Sequence, residues 1–495
     1  MARPTTTLLL LLGLTATFTT LFYDTGIGIN LLVFEILAAG AWLLQARGAN
    51  WTPLLRLATA STAATAIAVV VHASAMVIAL NVISGVLTVG LLVAPQLSAT
   101  HHAFLLAIQH AWKVPVATTR LLTWQNASGA QRTVSTRTVL TTASVPLLLA
   151  LFAALYGASN PFFGDLVARF YAGLAKADLA LLYTLGLGAF CSAFLLIATQ
   201  HERFLVWAGL RTDTLARTPP PVDRGEYRTA IVLFAALNLL LLLLNVLDVQ
   251  HVWMDFTFSG QYLKDFVHQG TWMLIISIVM GAALVLYFFR GDLNFIRGNA
   301  PLKWLCLAWL LQNAMLAASV AVRNYWYIHH FGLAYKRIGV ILFLLAALVG
   351  LWLVMRKVTL SRSSFYLTRW NLLAAYVIVV AASLFDWDTL IARYNIEHRK
   401  TIFVELSYLL QLDEKVLPYL SLSDEDLSAL HEHNETVLGS DRYWSYSYMS
   451  PDDYKVALRS DVQDFWNAYP DRSWREWNWA DARAYDLLAE KVIDQ

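Results

Sequence analysis

The chain has 495 residues, 58% of them hydrophobic and only 14% charged, with 36 Lys+Arg against 34 Asp+Glu. A soluble domain carries about 25% charged residues, so a fully water-facing surface is excluded and lipid must cover much of this molecule. The small net charge hides an asymmetry: residues 1–385 hold 25 Lys+Arg and 12 Asp+Glu, whereas residues 386–495 hold 11 and 22, which argues for two environments along one chain.

A bilayer core takes roughly 20 apolar residues per helix. On that measure eleven spans are predicted, at about 5–22, 27–45, 54–72, 75–95, 138–157, 178–198, 228–249, 268–289, 302–322, 338–356 and 366–385. The first is preceded by a single charge, Arg3, and no small-x-small cleavage site stands before Tyr23-Asp24, so it reads as an uncleaved helix. Glu35 falls near the middle of the second span, where a carboxyl is protonated, paired or part of a proton path. The stretch 54–95 reads as two helices turning at His72-Ala73-Ser74, with a broken or re-entrant element as the alternative.

Two loops are amphipathic and suited to the membrane interface. One, 100–120, sets Phe104, Leu105, Leu106, Ile108 and Trp112 beside Lys113 and Arg120; the other, 161–176, sets Phe162, Leu166, Phe170 and Leu174 beside Asp165, Arg169 and Lys176. The organisation that follows is an N-terminal membrane half of about six spans (1–210), a linker (211–227) containing Pro219-Pro220-Pro221, a C-terminal membrane half of about five spans (228–385) and an acidic, tryptophan-rich tail domain (386–495). The predicted fold is all-α: a polytopic helical membrane protein with a small helical C-terminal extracytoplasmic domain.

Polar residues inside the spans fall at helical spacing. Asn238, Asn245 and Asp248 share one stripe of the seventh span, and Gln312, Ser319 and Arg323 share one stripe of the ninth. Such stripes position helices by hydrogen bonding or line a site. At the same end lie His268, Lys336, Arg337, Asp386, Asp388 and Arg393. Together with Asp248 and Arg323 these form a candidate cluster, either a ligand site or a set of ion pairs. Asp248, Asp386 and Asp388 are the expected partners of its cations.

In the tail, Leu406, Leu409, Leu410, Leu417, Leu420, Leu427 and Leu430 recur at helical spacing, and Ser423 with Asp426 opens one helix as a capping box. Trp474, Trp477 and Trp479 precede a further helical stretch. Lys and Arg are biased across the spans: the N-terminus and the loops on its side carry 19, the opposite loops six. That bias predicts a cytoplasmic N-terminus and, with an odd number of spans, an external tail.

Several chemistries have no motif here. No G-x-x-x-x-G-K-[ST] and no H-E-x-x-H occurs. The histidines, among them His101, His102 and His110 on one side and His251, His268, His329 and His330 on the other, show no spacing that demands a metal. Cys191 and Cys306 lie in apolar runs and form no disulfide framework. An external membrane enzyme acting on lipid-linked sugars would need a sizeable first outer loop, and Asp24 sits in a turn of only about four residues. No catalytic residue, cofactor, metal or nucleic-acid partner is expected.

Asn245-Val-Leu-Asp248, Val267-His-Gln-Gly270, Arg323-Asn-Tyr325, Tyr335-Lys-Arg-Ile-Gly339, Asp386-Trp-Asp388 and Ala392-Arg-Tyr-Asn395 resemble the pattern of a large family of bacterial polytopic inner-membrane proteins that carries only a domain-of-unknown-function label. Leu420-Ser-Leu-Ser423 and Trp474-Arg-Glu-Trp-Asn478 are similar to its C-terminal pattern. The resemblance is good over residues 220–485 and loose over the first six spans. It implies topology, an inner-membrane location and the importance of the outer cluster, and no activity.

The expected roles are therefore broad. The first is non-enzymatic handling of a solute, lipid or envelope component through an outer-facing polar site lined by Asp248, Arg323 and Arg337, with Glu35 coupling protons. The second is a membrane scaffold or sensor that binds an envelope protein through the tail, and the third is an outer-facing enzyme. In each, the lipid bilayer is the constant partner.

Overall fold

In the computed structural model the described residues are 4–45, 50–124, 145, 148–149, 151–153, 155–174, 178–215, 224–254, 275–289, 292–296, 298–438 and 449–493. The chain is an all-α polytopic membrane protein. Among the described residues eight helices are long and apolar enough to cross a membrane, and two shorter apolar helices, Ile29–Gln45 and Ile275–Phe288, accompany them. Much of the expected span at 138–157, and the first residues of that at 268–289, lie outside the described residues. Two compact units form: residues 1–208 with 472–479, and residues 209–471 with 480–495.

The first unit contains α1 (Pro4–Phe22), α2 (Ile29–Gln45), α3 (Pro53–His72), α4 (Ala75–Val93), α5 (Thr100–Trp124), α6 (Pro161–Leu174), α7 (Leu179–Leu196) and α8 (Glu202–Gly209). The stretch 54–95 is two helices. The Thr52 hydroxyl accepts from Leu55 N at 3.4 Å, Pro53 supplies a first-turn residue without an N–H, and the helix stops where Ala73 turns to φ 42°. Ser74 then caps α4, which packs back along α3.

The amphipathic loop at 100–120 is helix α5, with Pro115 inside it. Ala103, Ala107, His110 and Val114, at helical spacing, are buried, while Phe104, Leu105, Ile108 and Trp112 are exposed. Its backbone meets α4 directly, since a Cβ on Gly90 would lie 2.2 Å from the Ala103 carbonyl oxygen. A side-chain chain fixes its other flank: His110 Nε2 lies 2.8 Å from Phe194 O, His110 Nδ1 2.8 Å from Thr199 Oγ1, and Thr199 Oγ1 2.6 Å from His201 Nε2.

Burial, with the nearby Lys113 and His110, holds the His201 imidazole down at about 4. Between the ordinary histidine value of about 6.5 and 4, an unfolded chain binds a proton that the folded one refuses. Stability is therefore expected to fall as pH drops through that window and to be flat above it. Thermal unfolding from pH 8 to pH 4 checks this, and His201→Gln should flatten that part of the profile.

A short segment of the tail, residues 472–479, belongs to this unit. Glu476 Oε2 accepts from Gly26 N at 2.8 Å, Arg475 Nη1 donates to Thr20 O at 2.6 Å, and Ile29 N donates to Trp477 O at 3.0 Å. Ser473 and Glu476 form a reciprocal capping box that shapes the segment. The α1–α2 turn accepts it because Gly26 and Gly28 carry no side chain: a Cβ on Gly28 would lie 2.3 Å from Glu476 O. Gly28→Ala is expected to weaken this clasp by about 1–3 kcal/mol, the usual cost of overpacking. Faster tryptic cleavage after Arg475 reads it out, with Gly13→Ala, at a glycine whose added Cβ meets nothing within 4 Å, as the unchanged control.

The second unit contains α9 (Arg224–Asp248), which runs into a π-helical turn (Val249–Met254), then α10 (Ile275–Phe288), α11 (Ala300–Phe331), α12 (Tyr335–Leu360), α13 (Ser364–Ser383) and α14 (Trp387–Glu397). The tail adds α15 (Leu406–Leu409), α16 (Leu417–Leu420), α17 (Asp424–Leu438), α18 (Pro451–Ala468) and α19 (Trp479–Ile493). Helix α9 shows which solvent surrounds it: Leu239 and Leu243 are 71% and 60% exposed, while Asn245 and Asp248 are 2% and 5% exposed. Leucine outside and polar groups inside is the arrangement that lipid selects.

One core joins Phe234, Phe289, Trp309, Leu351 and Val358 between the membrane helices. A second joins Ile391, Leu406, Leu420, Leu430 and Tyr454 of the tail to Ile338 in the first turn of α12. Leu406, Leu409, Leu420, Leu427 and Leu430 thus close a core around the end of a membrane helix, while Leu417 packs with Phe465 and Leu488 in another. Ser423 Oγ accepts from Asp426 N at 3.1 Å as a cap, but the Asp426 carboxylate turns to Arg399 at 2.7 Å.

Candidate functional site

The polar stripes of α9 and α11 face each other. Gln312 Nε2 donates to Asn238 Oδ1 at 2.8 Å, Asn238 Nδ2 donates to Leu305 O at 2.9 Å, and Asn245 Nδ2 donates to Gln312 O at 3.2 Å. Beyond them Trp253 Nε1 donates to Ser319 Oγ at 3.1 Å, and Arg323 Nη2 meets Asp248 Oδ1 at 2.5 Å with both side chains buried. Each turn of one helix therefore offers a donor to the other, where water is not at hand to compete. Three oxygens on this seam, Asn245 Oδ1, Asp248 Oδ2 and Gln312 Oε1, are buried without a hydrogen-bond partner among the described residues.

A second centre surrounds the turn between α11 and α12, where Gly332 adopts φ 74°. Asn395 of α14 reads both sides of the turn, accepting from Leu333 N at 2.7 Å and donating to Leu333 O at 2.9 Å. Arg337 Nη1 donates to Phe331 O at 2.7 Å and Gly332 O at 2.5 Å, and its guanidinium lies 4.4 Å from the Tyr327 ring centroid. The carbonyls left over at the end of α11 are thus taken up by a cation suited to the negative end of a helix.

The third centre is organised by Lys415, which is 2% exposed. Its Nζ lies 3.0 Å from Asp413 Oδ2, 3.3 Å from Asp388 Oδ2 and 3.7 Å from Asp386 Oδ1. Tyr335 OH donates to Asp388 Oδ1 at 2.8 Å, and Asp386 caps α14 by accepting from Thr389 N at 3.3 Å. Burial works against the charged amine, but the three carboxylates outweigh it and hold the Lys415 ammonium above its ordinary range.

Of the residues singled out from sequence, Asp248 and Arg323 are brought together, and Asp386 and Asp388 are brought together by Lys415. Arg337 reaches backbone carbonyls in place of a carboxylate. Lys336 is exposed, and Arg393 pairs with Glu397 at 3.4 Å on its own helix and lies over the Tyr419 ring, 5.7 Å from its centroid. His268 lies outside the described residues. Glu35 is half-buried on α2 within hydrogen-bonding reach of Asn81, whose Nδ2 donates to Thr62 O and Thr65 Oγ1, each at 3.2 Å.

Lys415 and Asp413 were not singled out, and Asn395 was met only within the Ala392-Arg-Tyr-Asn395 pattern, with no role of its own. A signal for the first was present: Lys415 is the sole Lys or Arg between residues 401 and 441, set against apolar Val416 and Leu417. Among the described residues no group of three or more His, Cys, Asp or Glu is placed to hold a metal ion.

A family model described as a domain of unknown function, DUF4153, matches residues 59–422. The chain belongs to this family. The matched region of this DUF4153 chain takes in the α9–α11 seam, the clasp on the α11–α12 turn and the Lys415 centre. It begins inside α3 and ends before α17, so the clasp of Arg475 and Glu476 on the first turn falls beyond it. No curated protein and no solved structure matches the chain.

Proposed function

We propose that this DUF4153 protein is a non-enzymatic scaffold of the bacterial inner membrane, with a cytoplasmic N-terminus and a tail that binds an envelope partner outside. One observation carries this reading: among the described residues, Asp248 and Arg323 close on each other, Asp386 and Asp388 on Lys415, and Arg337 on backbone carbonyls, which suits a framework that holds the tail in one shape. The Lys and Arg bias between alternate loops, 19 against six, supports the orientation. Exposed Trp474 and Trp477 are residues of the kind that dominate binding interfaces. Deletion of residues 400–495 is the test, read by affinity purification from crosslinked membranes. Loss of co-purifying envelope proteins with retained membrane insertion supports the reading, and an unchanged partner set refutes it.

The seam favours a second reading. Handling of a solute, lipid or envelope component would use the unpartnered oxygens of Asn245, Asp248 and Gln312 as acceptors, with Glu35 and Asn81 serving proton movement in the other unit. Glu35→Gln, assayed for proton flux in vesicles, tests the proton role: equal flux in variant and parent removes it.

A further inference from the structure

A cleft of about 900 Å³ opens between α5 and the turn into α8, well away in sequence from the centres described above. Its walls include Leu105, Ile108, Lys113, His201, Arg203 and Trp207. The floor is held by the His110–Thr199–His201 chain, and Lys113 Nζ is aimed by donating to Gln200 O at 2.6 Å. Neither Lys113 nor Arg203 has a carboxylate partner among the described residues. Glu202 is the one acid on the wall, and it pairs with neither.

Helices α5 and α8 start within a few residues of the ends of α4 and α7, two apolar helices of membrane-spanning length. Gln45 Nε2 donates to Thr7 Oγ1 at 3.2 Å and to Leu196 O at 2.9 Å, so α7 ends beside the first turn of α1; Val114 of α5 shares a core with Leu196, and the cleft lies at the end of this bundle where α1 begins. The row Phe104, Leu105, Ile108 and Trp112 is exposed along α5. Such a row is unfavourable in water and favourable against acyl chains, and it sets Lys113 at headgroup level. Two cations with no carboxylate partner among the described residues, set beside an apolar rim, are complementary to one neighbour that a bilayer always supplies. We propose that the cleft seats the phosphate of an anionic phospholipid, with Lys113 and Arg203 on the headgroup and Leu105, Ile108 and Trp207 along the upper acyl chain.

The test uses the full chain in nanodiscs of phosphatidylcholine with phosphatidylglycerol, read by the lipid retained in native mass spectrometry. The parent protein is expected to retain phosphatidylglycerol over phosphatidylcholine. Arg203→Gln should reduce that preference about fivefold, the effect of roughly one surface cation on an anionic lipid, and Arg203→Lys should keep most of it. Arg203 is exposed and has no ion-pair partner among the described residues, so its replacement leaves folding intact, which thermal unfolding verifies. Lys113→Gln with Arg203→Gln should abolish the preference. Equal retention in the Arg203→Gln variant, absence of any preference in the parent, or displacement of the lipid by millimolar inorganic phosphate with no lipid selectivity would each overturn the assignment.

Discussion

Lys415→Met is expected to destabilise the second unit by about 3–5 kcal/mol, the cost of stranding buried charge when one partner of a buried pair is removed. Methionine keeps most of the stem volume, so the loss is electrostatic. Asp388 would be left beside Asp386 and Asp413 with no cation between them. The lysine is held charged above its ordinary range, so its contribution is complete at neutral pH and is lost only as pH rises through that raised value. Acidification should partly rescue Lys415→Met by protonating the carboxylates. Thermal unfolding of the purified protein at pH 7.5 and pH 5 measures both effects. An unchanged midpoint at pH 7.5 would show that the centre is not what holds the tail to the end of α12.

Arg323→Ala is the second large effect. It leaves the Asp248 carboxylate buried at the end of a membrane helix, again worth about 3–5 kcal/mol. The double variant Arg323→Met with Asp248→Leu should return to within about 1 kcal/mol of the parent, because well-packed apolar residues replace a buried pair at little cost. This comparison also separates the two functional readings. A double variant that is stable, still recovers the tail's partners and keeps any transport or lipid-handling phenotype makes the pair structural. A double variant that is stable and retains the partners, but loses a transport or lipid-handling phenotype, assigns the pair to that chemistry.

The stripes of the seventh and ninth spans were legible because helical periodicity alone puts Asn238, Asn245 and Asp248 on one face and Gln312, Ser319 and Arg323 on another. That these two faces meet each other was not, since periodicity gives a direction around an axis and no neighbour. Asp386 and Asp388 were visible as acids near an excess of cations, and Lys336 and Arg337, the cations clustered at the start of α12, were natural partners. The fold instead spends Arg337 on the carbonyls ending α11, which no charge count reveals, and brings Lys415 in from the tail. The tail's leucine spacing announced helices, yet gave no sign that their core would include Ile338.

The sequence by itself determined the solvent. Few charges, long apolar runs and the bias of Lys and Arg between loops are one-dimensional properties, and lipid acts on each segment separately, so the spans follow from local composition. Only the tertiary structure decided which polar groups close on which. Glu476 meets Gly26 across 450 positions and Arg323 meets Asp248 across 75. Pairings at such separations depend on how helices pack, on the absence of a side chain at Gly28 and on the reach of individual rotamers. They are set by burial, where each polar group must find a partner, and the choice among chemically equivalent partners is made by geometry.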